Sequence, residues 1–247
     1  DDVQLTEEET NEALNQAKIK KQLVLEQEAK ENWRKEMEVE ALRKWDAREQ
    51  WYRALGIAKS INPAYTADES IKEVFKLLCF YFTNDARFEE DGELKLRKGI
   101  LLAGNVGTGK TLLMKAFSRN KRQCYEIIPC RKASDEYAED GQEMLNQYNN
   151  PIRSLFGTYE YFLQRELGIC FDDLGTETNP ARYYGKDINT MEQVILNRYD
   201  RKLPFTLTHF TTNLTWAQIE ANYGTRFISR LNEMVNVIEL TGQDRRK

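Results

Sequence analysis

Residues 104–111 read Gly-Asn-Val-Gly-Thr-Gly-Lys-Thr. The octapeptide fits G-x-x-x-x-G-K-[ST] at each fixed position, through Gly104, Gly109, Lys110 and Thr111. The run before it, Gly99-Ile100-Leu101-Leu102-Ala103, is short and apolar and suits a buried parallel strand. The run after it, Leu112-Leu113-Met114-Lys115-Ala116-Phe117, is a good helix former. In a strand–loop–helix setting the glycines let the backbone wrap around a phosphate, with its N–H groups turned inward at the positive end of the new helix. Lys110 would reach the β- and γ-phosphates of a nucleotide, and the Thr111 hydroxyl would ligate Mg²⁺. Gly104, Asn105, Val106, Gly107, Thr108, Gly109, Lys110, Thr111 and Leu112 are therefore the expected nucleotide-binding set. The bland alternative is a glycine-rich turn that happens to precede a helix, and the full match in context weighs against it.

The pattern on either side alternates strand and helix, as an α/β sheet requires. Strands are expected near 99–103, 124–129, 167–171, 205–211 and 235–240. Helices are expected over 110–119, 133–148, 153–165, 187–201 and 215–233, the last broken near Gly224. Upstream, residues 6–55 read as one long helix or two. Thr6 with Glu9 forms a capping box, no Pro or Gly intervenes before Gly56, and Leu25, Ala29, Trp33, Met37, Ala41 and Trp45 recur every four residues. Heptads are not sustained, so a long coiled coil is not indicated. Trp33, Trp45 and Trp51 need a surface to bury against: either the chain's own nucleotide domain or a partner, of which the partner is preferred. A linker follows over 56–66, containing Pro63. A second capping box, Thr66 with Glu69, then opens a helix through Ile71, Val74, Phe75, Leu78 and Phe80. The expected division is a helical partner-binding arm over 1–55, the linker, and a nucleotide domain over 67–247.

Composition narrows the function. Of 247 residues, 40% are hydrophobic, enough for a sizeable core, and 31% are charged. Cys79, Cys124, Cys130 and Cys170 include no C-x-x-C pair, and His209 is the single histidine, so a zinc site is not expected and the thiols read as small buried hydrophobes of a reducing compartment. No apolar run approaches the ~18 residues of a membrane span and no signal peptide is visible, which places the protein in the cytoplasm. Numbering opens on Asp1 rather than Met, so the true beginning is expected to lie further upstream. Residues 1–50 hold 9 Lys+Arg against 14 Asp+Glu, leaving 27 against 26 for the rest. No part is basic enough to announce nucleic acid by charge alone, so any DNA contact must come from a local patch. Arg131, Lys132, Arg153, Arg201 and Lys202, at element ends, are the candidates.

Three further stretches carry chemistry. Leu167-Gly168-Ile169-Cys170-Phe171-Asp172-Asp173 is a buried strand ending in two carboxylates: Asp172 to hold Mg²⁺, and Asp173 to orient and deprotonate the attacking water, with Glu177 as the fallback base. Leu207-Thr208-His209-Phe210-Thr211-Thr212-Asn213 ends in Asn213, placed either to bond the γ-phosphate or the lytic water, or simply to turn the chain. His209, in mid-strand, reads as structural. Tyr223-Gly224-Thr225-Arg226-Phe227-Ile228-Ser229-Arg230-Leu231 sets two arginines on one helical face, either for surface salt bridges or for a finger reaching a nucleotide on a neighbouring subunit.

Taken together, G-N-V-G-T-G-K-T, F-D-D-L-G-T-E, F-T-T-N-L and Y-G-T-R-F-I-S-R-L-N-E-M, followed by V-N-V-I-E-L-T-G, resemble AAA+ ATPases, and more narrowly the DnaC/IstB branch of helicase loaders and transposition ATPases. The resemblance covers about residues 60–247. It implies an ATP-binding α/β P-loop fold with a parallel sheet of order 5-1-4-3-2, Mg²⁺-dependent hydrolysis, Asn213 as sensor I, and Arg230 as the finger with Arg226 beside it, acting in trans within a homo-oligomer. The sequence stops at Lys247 soon after the fifth strand, so no C-terminal lid domain is expected, in keeping with the branch, and the adenine-side contacts are left unidentified. Asp173 stands where many of the wider class carry Glu. As function, the resemblance implies loading of a hexameric replicative helicase, gripped through residues 1–55, onto single-stranded DNA. The alternatives are an IstB-like regulator that coats duplex DNA and recruits a transposase, and a nucleotide-switched scaffold with little hydrolysis.

Overall fold

The computed structural model describes residues 7–153, 166–242 and 244. Thr6 and most of the helix expected over 153–165 lie outside these residues. The chain forms two compact units that divide between Arg43 and Lys44. The first holds one helix, α1 (Glu7–Leu42), on which Leu14, Ile19, Leu23, Leu25, Trp33 and Val39 are exposed.

The second unit begins with α2 (Ala47–Ile61). Asp46 caps it by accepting from Glu49 N at 2.7 Å. The helix runs straight through Gly56, where the sequence suggested an arm ending at 55 and a linker over 56–66. Packing decides this in place of propensity: Ala54 and Ala58 are fully buried against α3 (Glu69–Phe82) and α4 (Lys110–Phe117), and the Trp51 ring meets Phe75 edge-on at 4.6 Å. An aromatic pair of that kind contributes ~0.5–1.5 kcal/mol beyond its buried area, comparable to the ~1 kcal/mol a mid-helix glycine costs. Trp45 is buried as well, with Arg53 Cζ 4.0 Å from its ring centre. Of the three tryptophans, Trp45 and Trp51 thus pack on the nucleotide domain itself, while Trp33 stays half exposed.

Five parallel strands form the sheet: β1 (Gly99–Ala103), β2 (Tyr125–Pro129), β4 (Glu166–Leu174), β7 (Thr208–Thr212) and β8 (Val235–Glu239), in the spatial order β2-β4-β7-β1-β8. Counting these five alone, from the β8 edge, gives the expected 5-1-4-3-2. Three short strands were not foreseen. β3 (Ile152–Arg153) pairs antiparallel with β4, so Arg153 is in a strand where a helix was expected, and β5 (Ala181–Tyr183) with β6 (Lys186–Ile188) makes a two-stranded hairpin inside the span read as loop and helix start.

Side chains alternate across the sheet and feed two cores. Ile100, Leu102, Cys170 and Ile238 join α2, α3 and α4 on one face; Leu101, Ile169, Phe171, Phe210 and Val235 join the other. There lie α5 (Cys130–Asp140), α6 (Gln142–Tyr148), α7 (Thr190–Asp200) and α8 (Trp216–Met234). Gly141 splits the helix expected over 133–148, and Gly224, with φ 84°, breaks α8 as foreseen. All four cysteines are buried, and among the described residues no helix is long and apolar enough to cross a membrane.

His209 is fully buried among Tyr81, Phe82 and Tyr125, and its Nδ1 accepts from Ile100 N at 3.0 Å. Burial, with help from Arg122 and Arg198, holds its pKa down to about 3. The unfolded chain takes up this proton below pH ~6.5 and the native chain resists it, so stability is whole above that pH and falls as pH drops. At pH 5 the loss is about 2 kcal/mol. Because the chain has one histidine, His209→Asn, whose amide oxygen keeps an acceptor for Ile100, should flatten the pH dependence of urea stability between pH 7 and 5. A slope unchanged in that variant would place the titration elsewhere.

Candidate functional site

The loop after β1 closes on α4. Gly107 (φ 81°) and Gly109 (φ 97°) occupy the left-handed region that favours glycine, and no side chain caps α4, which leaves its N-terminus to a ligand. A Cβ on Gly107 would stand 2.0 Å from Oδ1 of Asp244, so a carboxylate oxygen already packs against the loop. Lys110 is 4% exposed, and its Nζ donates to Gly104 O (2.7 Å), Asn105 O (2.8 Å) and Asn213 Oδ1 (2.7 Å). One ammonium therefore joins both ends of the phosphate loop to the tip of β7.

The carboxylates reach the same place through an irregularity. Phe171 pairs with Phe210 but Leu174 pairs with Thr212, a bulge that absorbs one residue of β4 at Asp172-Asp173. Without it, alternation would send the two carboxylates to opposite faces. Asp173 takes φ 56°, its amide donates to Thr211 Oγ1 (2.8 Å), and Thr211 Oγ1 donates to Asp172 Oδ1 (2.6 Å). Thr111 Oγ1 donates to both Asp172 oxygens at 2.9 and 3.1 Å. Asn213 Nδ2 closes the ring onto Asp173 Oδ1 at 3.2 Å. Asp172 is a buried carboxylate that accepts from two hydroxyls. With Thr111 it offers oxygen atoms of the kind that could hold a hard divalent cation. Among the described residues there is no cluster of three metal-binding side chains that would build a cage without the phosphates.

A cavity of about 260 Å³ opens over these groups, lined by Gly107, Gly109, Lys110, Thr111, Leu112, Lys115, Asp173 and Asn213, and closed on the far side by Ile61, Asn62 and Tyr65. The last three sit at the end of α2 and in the turn beyond it, within the stretch read as linker. Of these, Ile61 and the Tyr65 ring add apolar surface to the lining. Neither they nor Lys115 and Thr211 carry a site role in the sequence reading, although Thr211 was legible as the small polar residue two before Asn213 on the same strand.

Glu177 does not line the cavity. Tyr223 OH donates to its Oε1 and Gly175 N donates to its Oε2 at 2.9 Å, and burial beside this carboxylate pushes the Tyr223 hydroxyl far above its ordinary range. The fallback base is thus bonded at both oxygens, and Asp173 is the carboxylate that faces the cleft.

The arginines lie apart from the loop. Lys98, just before β1, donates to Asn232 O at 2.6 Å, which pins the end of α8 to the end of β1 remote from the phosphate loop. Arg230 rests there, its Cζ 4.4 Å from the Tyr199 ring centre and its Nη1 3.1 Å from Tyr199 OH and 3.4 Å from Glu233 Oε1, while Arg226 is exposed. The basic candidates form no single patch: Arg131 and Lys132 follow the C-terminal end of β2, with Lys132 paired to Glu136 at 3.3 Å, whereas Arg201 and Lys202 precede the start of β7.

A five-stranded parallel sheet of this order, with the phosphate loop after its central β1 and acids at the tip of β4, settles the architecture. The fold is that of an AAA+ P-loop core. Solved structures with a similar fold include the DnaC helicase loader (16% identity, covering 73% of this chain and 96% of that one, TM-score 0.48) and DnaI (20%, 74% and 88%, 0.49). Another is AMPPCP-bound DnaA from Aquifex aeolicus (17%, 71% and 48%, 0.46). These values are too low to bear on function, and no family model and no curated protein matches the chain.

The hydroxyl of Thr211 bridges the two aspartates, so Thr211→Val should leave the buried Asp173 amide unpaired and cost about 1–3 kcal/mol in urea unfolding. Thr211→Ser should stay within about 1 kcal/mol of the parent. Equal losses in both variants would show that methyl packing, not the hydroxyl, matters at this position.

Proposed function

We propose that this chain is an oligomeric, Mg²⁺-dependent AAA+ ATPase that loads a hexameric replicative helicase onto single-stranded DNA. The observation that carries the ATPase reading is the convergence of Lys110, Thr111, Asp172, Asp173 and Asn213 on one cleft, from three different strand ends. Lys110 would neutralise the β- and γ-phosphates, and the loop amides would hold them. Thr111 and Asp172 would hold Mg²⁺, which offsets charge on the transferring phosphoryl oxygens. A phosphate that draws Lys110 away from Asn213 leaves the amide to the γ-phosphate or the lytic water, next to Asp173 as base. Ile61 and Tyr65 offer the apolar wall for the base. Arg230 would complete the site from a second subunit, since its own loop lies at the other end of β1.

The loader half of the reading is supported by the combined text F-D-D-L-G, F-T-T-N and Y-G-T-R-F-I-S-R-L, and by α1, a helix of 36 residues with exposed apolar side chains. Because α2 belongs to the nucleotide unit, the arm proposed to grip the helicase ends near Arg43 rather than at 55. Pull-down of a replicative helicase by the full chain and by a chain lacking residues 1–43 tests this. Capture that survives the deletion would move the grip elsewhere, and no capture by either would sink the loader reading.

Lys110→Ala should abolish ATP binding measured by fluorescent-nucleotide titration, and parent-like affinity would refute the phosphate site. Asp173→Asn should bind ATP but turn over about 10²–10⁴-fold more slowly, the usual contribution of a general base. Arg230→Ala should bind ATP and hydrolyse it poorly, and mixing it with Lys110→Ala should restore activity at interfaces that pair an intact loop with an intact finger. Fingers in trans contribute roughly 10³–10⁵ in rate, so partial rescue is measurable. A lowered melting temperature without rescue would make Arg230 a structural residue.

A further inference from the structure

The β5–β6 hairpin ends in a two-residue turn, Tyr184-Gly185, with φ of 45° and 82°. Both residues in the left-handed region make this the type I′ turn, where Asn-Gly or Asp-Gly is the preferred pair. A bulky tyrosine there is a backbone outlier, and such strain persists where function keeps it. The strain buries almost none of the side chain, because Tyr184 is 93% exposed, the most exposed of the large hydrophobic residues described.

The hairpin beneath it is tied to the core. Tyr183 stacks edge-on to Tyr184 at 4.7 Å and lies so close to Gly141 that a Cβ there would stand 2.3 Å from its ring. Arg182 and Asp187, paired across the hairpin, are joined by bonds of 2.8 and 3.0 Å. Ala181 is buried in the core. Around this mount the exposed Glu139, Asp140 and Glu143 outweigh the exposed Lys186 at the turn, so the corner that presents Tyr184 is on balance acidic, which disfavours a nucleic-acid backbone.

A complementary surface exists on the same chain. Tyr199, Leu203, Pro204 and Phe205, with Asp200 and Lys202, line an open groove of about 400 Å³, a volume that takes one aromatic ring, and Tyr199 and Phe205 stack on each other in its wall with ring centres 6.0 Å apart. Arg201, Lys202 and Arg230 outweigh Asp200 and Glu233 on its rim. The guanidinium of Arg230 lies on the Tyr199 wall.

From these observations we infer that Tyr184 of one copy seats in the Tyr199–Phe205 groove of a second copy, as the aromatic anchor of a head-to-tail contact. Two different patches then meet, so the contact is heterologous and propagates into a ring or filament. A buried tyrosine in an apolar slot with a charged rim is the usual form of an interface hot spot. The inference rests on the oligomeric ATPase reading and names the surface that assembly would use. Seating the ring beside Arg230 puts the finger inside the interface.

Tyr184→Asn tests it without harming the fold, because asparagine suits the turn. Its melting temperature should rise while its assembly, followed by sedimentation in ATP and Mg²⁺, weakens at least tenfold. Parent-like assembly of Tyr184→Asn overturns the inference. So does loss of oligo-dT binding with assembly intact, which would make the tip a base-stacking residue. The contact is read directly with a short bis-maleimide, to which the four buried native cysteines are poorly accessible. Tyr184→Cys mixed with Leu203→Cys should give a cross-linked dimer that neither gives alone. A Tyr184→Cys product formed alone would mean a symmetric tip-to-tip contact, which also overturns it. ATP binding is measured in parallel: a parent chain that binds no ATP sinks the ATPase reading, while the cross-link with and without nucleotide still decides the contact.

Discussion

The site depends on one backbone irregularity, the bulge that sets Asp172 and Asp173 side by side at the tip of β4. A regular strand would place one carboxylate in the cleft and bury the other in the opposite core, where an unpaired carboxylate is not tolerated. Thr211 holds the bulge by accepting from the Asp173 amide and donating to Asp172. Its neighbour Thr212 performs a similar task one step on, donating to Leu174 O at 2.8 Å and accepting from Leu214 N at 3.1 Å. The polar end of β7 is thus built to hold β4 out of register as well as to present Asn213.

That arrangement explains which parts of the molecule were legible in the sequence. The phosphate loop, the acidic strand end and Asn213 announce themselves because each needs particular residue types at fixed short spacing. The order of the five strands followed from the resemblance. What could not be read was set by contacts distant in sequence. α2 passes through Gly56 because Ala54, Ala58 and Trp51 find partners on α3 and α4, and local propensity has no knowledge of them. The same error hid Ile61, Asn62 and Tyr65, since a stretch taken for linker is not searched for a binding wall. The hairpin was missed because Tyr184-Gly185 is a poor match to the usual turn pair, and that mismatch is itself what gives the tip its interest.

Glu177 shows how burial reassigns a residue that chemistry alone would nominate. It is an acid four residues beyond Asp173, a plausible base on spacing. Its two oxygens are instead bonded by Tyr223 and Gly175, so it joins the loop after β4 to α8 just before the Gly224 break. A carboxylate held by a tyrosine hydroxyl and a backbone amide gives up much of its availability to water. Asp173 keeps its place at the cleft with one amide donor at 3.2 Å.

The two ends of the parallel sheet are held by different means, and the difference bears on how the molecule works. At the C-terminal ends the strands are linked by side chains that the proposed nucleotide and ion would displace: Lys110, Thr111, Asp172 and Asn213. At the other end, Arg198 is fully buried and donates to Tyr148 O, Asn150 O, Leu207 O and Thr208 Oγ1, at 2.8–3.1 Å. Burial lowers its pKa only to about 10, so it stays charged at neutral pH, and removing it would leave these carbonyls unpaired. Asn236 adds bonds to Lys95 and Gly99. The far end is a fixed frame with no exchangeable partner. Arg230 sits on this frame beside Tyr199, and so do the groove and its basic rim. Groups carried there cannot follow events at their own phosphate loop by any short path. If Arg230 serves nucleotide chemistry as proposed, that service goes to another copy of the chain.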